Sequence, residues 1–375
     1  MRRLSFLLVL AATCLPLRAE AQESAVTVGA SYIADALTVV DGGRQRGGAW
    51  LGRADLTLAA DGAAIGLDGV DIYVDLLATQ KPDFSGRHVG DAQTVSNVQA
   101  DSAIRPFEAW IDAPLGKSVR LKAGLVDLNS EFDVQRIGAL FLNSAHGIGP
   151  DFSQSGVNGP SIFPAGATAL VARWTNGPWR GRVGMFDAVA GSKTDPRRAA
   201  FRLPGETGAL LVAEVERQFG GGEVQFGAWR YTPRFAPLDP SGRRAAAQGV
   251  YALVEGRITP LIEGWVRIGV ADDRANPIAL YLGGGFAIGP ESSRIGLAIA
   301  HARLGEPGRH FLFDRQARAA ETAIELTWAR RLTPGVVVQP DLQYVVHPGW
   351  NPRLRDALVA GVRLRFRVER GFFPR

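Results

Sequence analysis

From Val26 onward, apolar and polar residues alternate with a period of two, and turn signals separate the alternating runs. In 318–331, Thr322, Ile324, Leu326 and Trp328 share one face while Glu321, Glu325, Thr327 and Arg331 share the other. In 335–346, Val336, Val338, Leu342 and Tyr344 oppose Gln339, Asp341 and Gln343. In 356–368, Leu358, Val362, Leu364 and Phe366 oppose Arg363, Arg365 and Arg367; in 69–79, Val70, Ile72, Val74 and Leu76 oppose Asp71, Tyr73 and Asp75. Read in this way, the chain predicts strands at 26–39, 47–61, 69–79, 103–113, 118–127, 166–176, 179–188, 206–219, 222–232, 247–258, 261–271, 278–289, 292–301, 318–331, 335–346 and 356–368. That makes an all-β chain of about sixteen strands, an even number of the kind used by single-chain transmembrane barrels.

The connections sort by length. Tight links fall at Asp112–Lys117, Asn176-Gly177-Pro178, Gly220-Gly221-Gly222, Thr259-Pro260, Gly289-Pro290-Glu291 and Leu332–Gly335. Longer links alternate with them at 80–102, 128–165, 189–205, 233–246, 302–317 and 347–355, with one short exception at 272–277. A transmembrane antiparallel barrel produces this parity, because its periplasmic turns are short and its external loops long. A soluble β-sandwich, the competing reading, has no reason to sort its loops so. Energetics separate the two further. An Arg or Lys facing lipid at mid-depth costs roughly 2–4 kcal/mol, so three arginines on one face of 356–368 must look into water. The apolar faces suit lipid only if the sheet closes and pairs every backbone group.

Composition narrows the class. After residue 21 no stretch offers the ~18 consecutive apolar residues of a spanning helix. Residues 1–21 read as an export signal: Arg2 and Arg3 precede an apolar core from Leu4 to Leu17, and Ala19-Glu20-Ala21 has the form of a cleavage site. The only cysteine, Cys14, lies in that core, so residues 22–375, the expected barrel domain, need no disulfide framework. Without the signal, Lys+Arg falls from 42 to 39 and Asp+Glu from 37 to 36, a net charge of +3, too weak an excess to imply nucleic acid.

One connection stands out. Phe141–Pro164, FLNSAHGIGPDFSQSGVNGPSIFP, is dense in Gly, Pro, Ser and Asn yet keeps Phe141, Phe152 and Phe163. A disordered linker would not carry so many aromatics, and long ordered loops are usually functional. The segment resembles the hallmark segment of the bacterial carbohydrate-selective porins, the OprB family. So do Lys122–Val134, the pair Val89-Gly90-Asp91 and Val95-Ser96-Asn97, and the final hairpin with Glu321–Trp328, Leu332-Thr333-Pro334 and Gln339–Tyr344, followed by Pro348-Gly349 and Asn351-Pro352. The resemblance implies an outer-membrane barrel whose 128–165 loop folds inward and narrows the lumen. It also implies carbohydrate solutes as cargo, lipid and the barrel assembly machinery as partners, and a monomer. The chain departs from the pattern at its end, where Phe366 is followed by Glu369–Arg375 rather than closing on an aromatic.

On that reading the pore-facing candidates on the wall are Arg53, Asp75, Glu108, Trp110, Arg120, Arg182, Glu255, Arg257, Trp265, Arg267, Glu325, Arg363 and Arg365, and the loop contributes Asp127, Asn129, Glu131, Asp133, Asn143, His146 and Asp151. Charges of both signs make a hydrogen-bonding wall suited to sugar hydroxyls, and Trp110 and Trp265 are candidate platforms for sugar C–H faces. Any one charge is more readily read as paired with a neighbour and holding the barrel's shape. At least two of the three loop phenylalanines are expected to be packing anchors. Passive sugar diffusion is therefore the leading expectation, with a general or anion-preferring porin second, on the hint of the arginine-rich last strand. A barrel enzyme acting on lipid is third: Asn143, Ser144 and His146 lie too close in sequence to establish an oriented nucleophile and base. His88, His146, His301, His310 and His347 are scattered without metal-ligand spacing, and Gly147-Ile148-Gly149 lacks the third glycine of a dinucleotide loop, so no metal or cofactor is implied.

Overall fold

The structure, a computed structural model, describes residues 24–374 except 81–82, 193–194, 196, 198–206 and 314–315; the export signal expected at 1–21 lies outside the described residues. Sixteen strands occur among them: β1 (Ser24–Gly43), β2 (Gly47–Asp61), β3 (Asp71–Gln80), β4 (Ala103–Pro114), β5 (Val119–Val126), β6 (Ala167–Asn176), β7 (Trp179–Asp187), β8 (Ala209–Phe219), β9 (Gly222–Phe235), β10 (Ala245–Arg257), β11 (Ile262–Ala271), β12 (Ile278–Ile288), β13 (Ser293–Leu304), β14 (Ala320–Thr333), β15 (Val336–Val346) and β16 (Arg355–Pro374). Each pairs with its sequence neighbour in antiparallel fashion, and β1 pairs with β16, so the sheet is a closed barrel without a free edge.

The faces follow the predicted parity. Val183, Phe226, Val250, Val266 and Val368 point outward with more than half of their surface exposed. Soluble monomers rarely present so continuous an apolar belt, whereas a hydrocarbon environment makes it favourable. Trp174, Trp179, Phe219, Phe286, Trp328 and Phe366 lie on the outer surface toward the short-turn end, as an interfacial aromatic girdle does. The inward set mixes charged and amide side chains, small residues and a few large apolar ones such as Leu253 and Trp265, and Glu325, Gln343, Arg267 and Asp35 are fully buried inside the barrel.

Three details differ from the strand prediction. The last strand does not stop at 368: Glu369, Arg370, Gly371 and Phe372 continue it opposite Gly29, Val28, Thr27 and Val26. A long β1 supplies partners for them, so the tail after Phe366 extends the seam. The β1–β2 link at the long-loop end is only 44–46, a second short exception to the loop parity. Within β4 a bulge opposite Asp75 and Leu76 reverses the side-chain parity. Phe107 points inward before the bulge, and Trp110 and Asp112 point inward after it. On the facing strand Gly124 adopts φ +137°, where a Cβ would collide with the Ala109 carbonyl and the Trp110 backbone.

Candidate functional site

Two connections, β3–β4 and β5–β6, fold into the lumen from the long-loop end. The wall they meet is built of small inward residues, among them Gly269, Gly283, Gly285, Ala298, Ala300 and Ala302. This leaves room for polypeptide in place of side chains. Phe141 packs there with Trp265, Leu253 and Ala298, while Phe152 packs with Trp229, Tyr251 and Phe132 farther round. Both phenylalanines are fully buried anchors. Phe163 is partly exposed, against Phe107 and under the Arg53 guanidinium at 4.8 Å.

Buried carboxylates of the wall hold the β5–β6 connection by its backbone. Glu325 accepts the N–H groups of Leu142 (2.6 Å) and Asn143 (2.9 Å). Glu255 accepts those of Arg136 and Ile137 and also the Arg136 guanidinium at 2.6 Å. Glu214 accepts the Asp133 N–H and the Tyr251 hydroxyl. The centre of the attachment is Arg267, which lies between two loop carboxylates: its Nε donates to Asp133 (2.9 Å) and its Nη1 to Asp151 (2.5 Å), with all three side chains fully buried. Cβ atoms at Gly149 and Gly269 would overlap this ion cluster, which explains the glycines. Burial pushes the Asp133 carboxyl up to about 6, against the opposing pull of Arg267.

The β3–β4 connection uses the same chemistry on the other side. Glu321 accepts the N–H groups of Ala92, Gln93 and Gly349. Asp35 accepts the Ser96 hydroxyl and a two-pronged ion pair from Arg363, which reaches on to Asn97. The two connections also bond to each other, Asn97 N–H to the Leu142 carbonyl and Ser144 N–H to the Thr94 carbonyl.

The remaining polar lumen lies along β2–β7. Toward the short-turn end, Tyr73, Glu108, Trp110, Lys122, Glu131 and Arg173 help line a cavity of about 520 Å³. Tyr73 stacks on Trp110 with centroids 5.2 Å apart, and the Lys122 ammonium sits 4.0 Å over the same indole while pairing with Glu131. Arg120 bridges Asp71 and Asp112, and Arg182 bridges Glu214 and Glu216. Toward the long-loop end, Arg53 pairs with Asp55. The half-buried Asp127 carboxyl is pushed up to about 7 by its desolvation, and the charge of Glu108 adds to the push.

The expected pore residues thus divide. Arg53, Asp75, Glu108, Trp110, Arg120, Arg182, Asp127 and Glu131 belong to the polar lumen. Asp133, Asp151, Arg267, Glu255, Glu325, Asn143 and Arg363 are used up in holding the inward connections. Asn129 donates to the Phe132 and Asp133 carbonyls and shapes the turn. Arg257 is exposed in a separate polar hollow with Arg136, Glu263 and Arg294 at the short-turn end. Trp265 is no open platform: it is buried against Phe141 and donates to Gln135. His146 is sealed between Phe141 and Trp265, and burial pushes it down to about 3, which leaves it no proton-shuttling role near neutrality. The arginines of β16 do not form an open cationic strip, since Asp35 neutralises Arg363 and Glu369 pairs with Arg367; the Arg365 Nε has no hydrogen-bond partner among the described residues. Sequence reasoning missed Asp35, although an acid at inward parity in the middle of a mostly uncharged strand was a signal. It also missed the inward path of the β3–β4 connection, whose Phe84, Val89, Val95 and Val98 needed a place to be buried.

No curated protein sequence matches the chain. Among solved structures, the high-pH structure of Pseudomonas putida OprB superposes with a TM-score of 0.81 at 16% identity, covering 92% of this chain and 94% of that one. The outer membrane channel DcaP of Acinetobacter baumannii gives 0.57 at 9% identity over 92% and 97%, and a triple mutant of the Rhodopseudomonas blastica porin gives 0.54 at 12% over 92% and 100%. These likenesses establish the barrel fold. Residues 45–367 match the family described as "Carbohydrate-selective porin, OprB family"; the chain, a closed barrel narrowed by two inward connections, belongs to that family of outer-membrane porins.

Proposed function

We propose that sugars cross this porin passively along the β2–β7 side of the lumen, and that the Tyr73–Trp110 pair is where a ring pauses. The observation that carries this reading is a stacked aromatic pair inside a cavity most of whose charged lining residues, Arg120, Lys122, Glu131, Arg173, Arg180 and Arg182, are ion-paired. A pyranose presents C–H groups on a face and hydroxyls at its rim, so it needs one apolar surface with donors and acceptors around it. Tyr73 and Trp110 supply the surface; Glu108, Glu131, Lys122 and Arg173 supply the rim. Because the charges are already paired, hydroxyls exchange with existing partners, and binding stays weak enough for release. Trp110 acts as the backing of the pair, since Lys122 occupies its ring.

Planar-bilayer conductance tests this. Glucose or maltooligosaccharides should block the wild-type current in a concentration-dependent way, and Tyr73→Ala should weaken the block several-fold while leaving ion conductance in place. Absence of any sugar block together with strong anion selectivity would replace this reading with a general anion-preferring pore. Pairing of Arg363 and Arg367 removes most of the sequence hint for that alternative.

The finer assignments rest on the same basis. The family resemblance favours a monomer, and native mass measurement in detergent tests it. Residues 1–21 serve as the export signal, tested by sequencing the N-terminus of the mature protein. The outward aromatics Phe366 and Phe372 near the end of β16 are the features the assembly machinery would read, tested by substituting each and measuring heat-modifiable barrel in membranes.

A further inference from the structure

The outer surface of β5–β11 is hollowed. Two adjoining depressions of about 870 and 760 Å³ lie on it, within the ~300–1,000 Å³ range of ligand sites. The outward residues there are apolar and several are small: Ala172, Ala213 and Ala228 form the floor, with Val183, Val250 and Val270 around them. Above the floor, at the extracellular rim, the outward parity of β9 places Arg230 and then Arg234, both exposed. The Arg230 guanidinium donates to Gln248 at 2.8 Å, and Gln248 in turn donates to Asp272, which pairs with Arg274. Arg243 and Arg244 stand exposed in the adjoining β9–β10 connection. A guanidinium carries five N–H donors, so a single bond to the neutral Gln248 leaves Arg230 with most of its charge uncompensated at the edge of the lipid layer. The face thus sets exposed cations directly above an apolar hollow.

We propose that this face binds one phosphorylated, multiply acylated lipid of the outer leaflet, with its acyl chains in the hollow and its phosphate on Arg230 and Arg234. Arginine suits phosphate because its planar fork donates two parallel hydrogen bonds, and basic pockets at membrane depth take lipid headgroups by the same rule. A second copy of the chain fits less well. Two barrels in one membrane share an axis along its normal, so a two-fold contact through this face would bring the same arginine rims together.

Native mass spectrometry of the detergent-solubilised porin tests the proposal, with bis-phosphorylated hexa-acyl lipid A as the probe and its dephosphorylated form as the control. The wild type should retain one lipid, preferring the phosphorylated form at least ten-fold. Arg230→Gln with Arg234→Gln should erase that preference, and Ala228→Trp should abolish retention of both forms. All residues changed face outward, so single-channel conductance and heat-modifiable mobility should stay wild-type and report the fold. If Ala228→Trp does not fold, the arginine pair decides alone. Equal retention of both lipids by the wild type, or unchanged preference in the arginine variant, overturns the proposal. So does a lipid-free dimer mass that Ala228→Trp removes, which would assign the face to a second copy. None of these outcomes depends on which solute crosses the pore.

Discussion

Replacing Arg267 with Met removes the cation at the centre of the inward β5–β6 connection while keeping comparable length. Asp133 and Asp151, both fully buried and both on that connection, then face each other without a counter-charge. Deleting one partner of a buried ion pair costs about 3–5 kcal/mol, which shifts a local equilibrium by roughly two to three and a half powers of ten. The connection does not detach, because Glu255 still holds the Ile137 N–H and Glu325 the Leu142 N–H; it loosens on the two sides of that held stretch, around Asp133 and Asp151. The expected readouts are a larger and noisier single-channel conductance at pH 7.5 and new chymotryptic cleavage after Phe152, which adjoins Asp151. Protonation relieves the repulsion, so the conductance should return toward wild type at pH 5. Asp133→Asn and Asp151→Asn in the same background should also restore it, since neutral amides need no counter-charge. A quiet conductance of wild-type size with full protease resistance in Arg267→Met, in a barrel that remains heat-modifiable, would refute the argument that this ion cluster holds the constriction.

Other perturbations follow from the same geometry. Gly269→Ala should mimic Arg267→Met more mildly, because the added methyl overlaps the Arg267–Asp151 contact; chymotryptic cleavage after Phe152 reports it. Asp127, with its carboxyl at about 7, is mostly neutral at pH 5.5 and charged at pH 8.5, so cation preference should rise across that interval. Reversal potentials in a salt gradient measure this, and Asp127→Asn should flatten the curve. The sign for stability is opposite, since a raised carboxyl favours the folded state only while protonated, and that share is lost as pH climbs through 7. His146, held at about 3, is neutral in the barrel and charged when unfolded below about 6.5. Its share of stability is therefore present above about 6.5 and falls by up to about 1.4 kcal/mol per pH unit toward 3. Thermal unfolding at pH 7 and pH 4 should show a smaller acid loss in His146→Gln than in wild type.

The barrel was legible because its code is local. Outward Ile324, Leu326 and Trp328 against inward Glu321, Glu325 and Thr327 requires only a period of two, and loop parity requires only counting residues between turns. The pore was legible only in part, because occupancy of the lumen is a long-range matter. Glu108 and Arg267 look alike as inward charges in a strand, yet one lines water and the other is used up by a segment more than a hundred residues away. Trp110 and Trp265 differ in the same way: each sits on an inward face, but Phe141 arrives only on Trp265. A further clue was the run of inward Gly and Ala on β11–β14, which marks where the wall makes room for backbone. The β4 bulge is likewise invisible to a strict period-two reading, although without it Glu108 and Trp110 would turn away from the pore.

The seam between β1 and β16 sets Ser24 opposite Pro374, so the two ends of the described chain are neighbours. Joining them through a short linker and reopening the polypeptide in an extracellular connection such as 236–244 would preserve every ladder in the sheet. Circular permutation succeeds at exposed tips of this sort. The ring therefore has no structural need for a particular first strand, and permuted versions would separate the requirements of the finished pore from those of the order in which strands emerge during insertion.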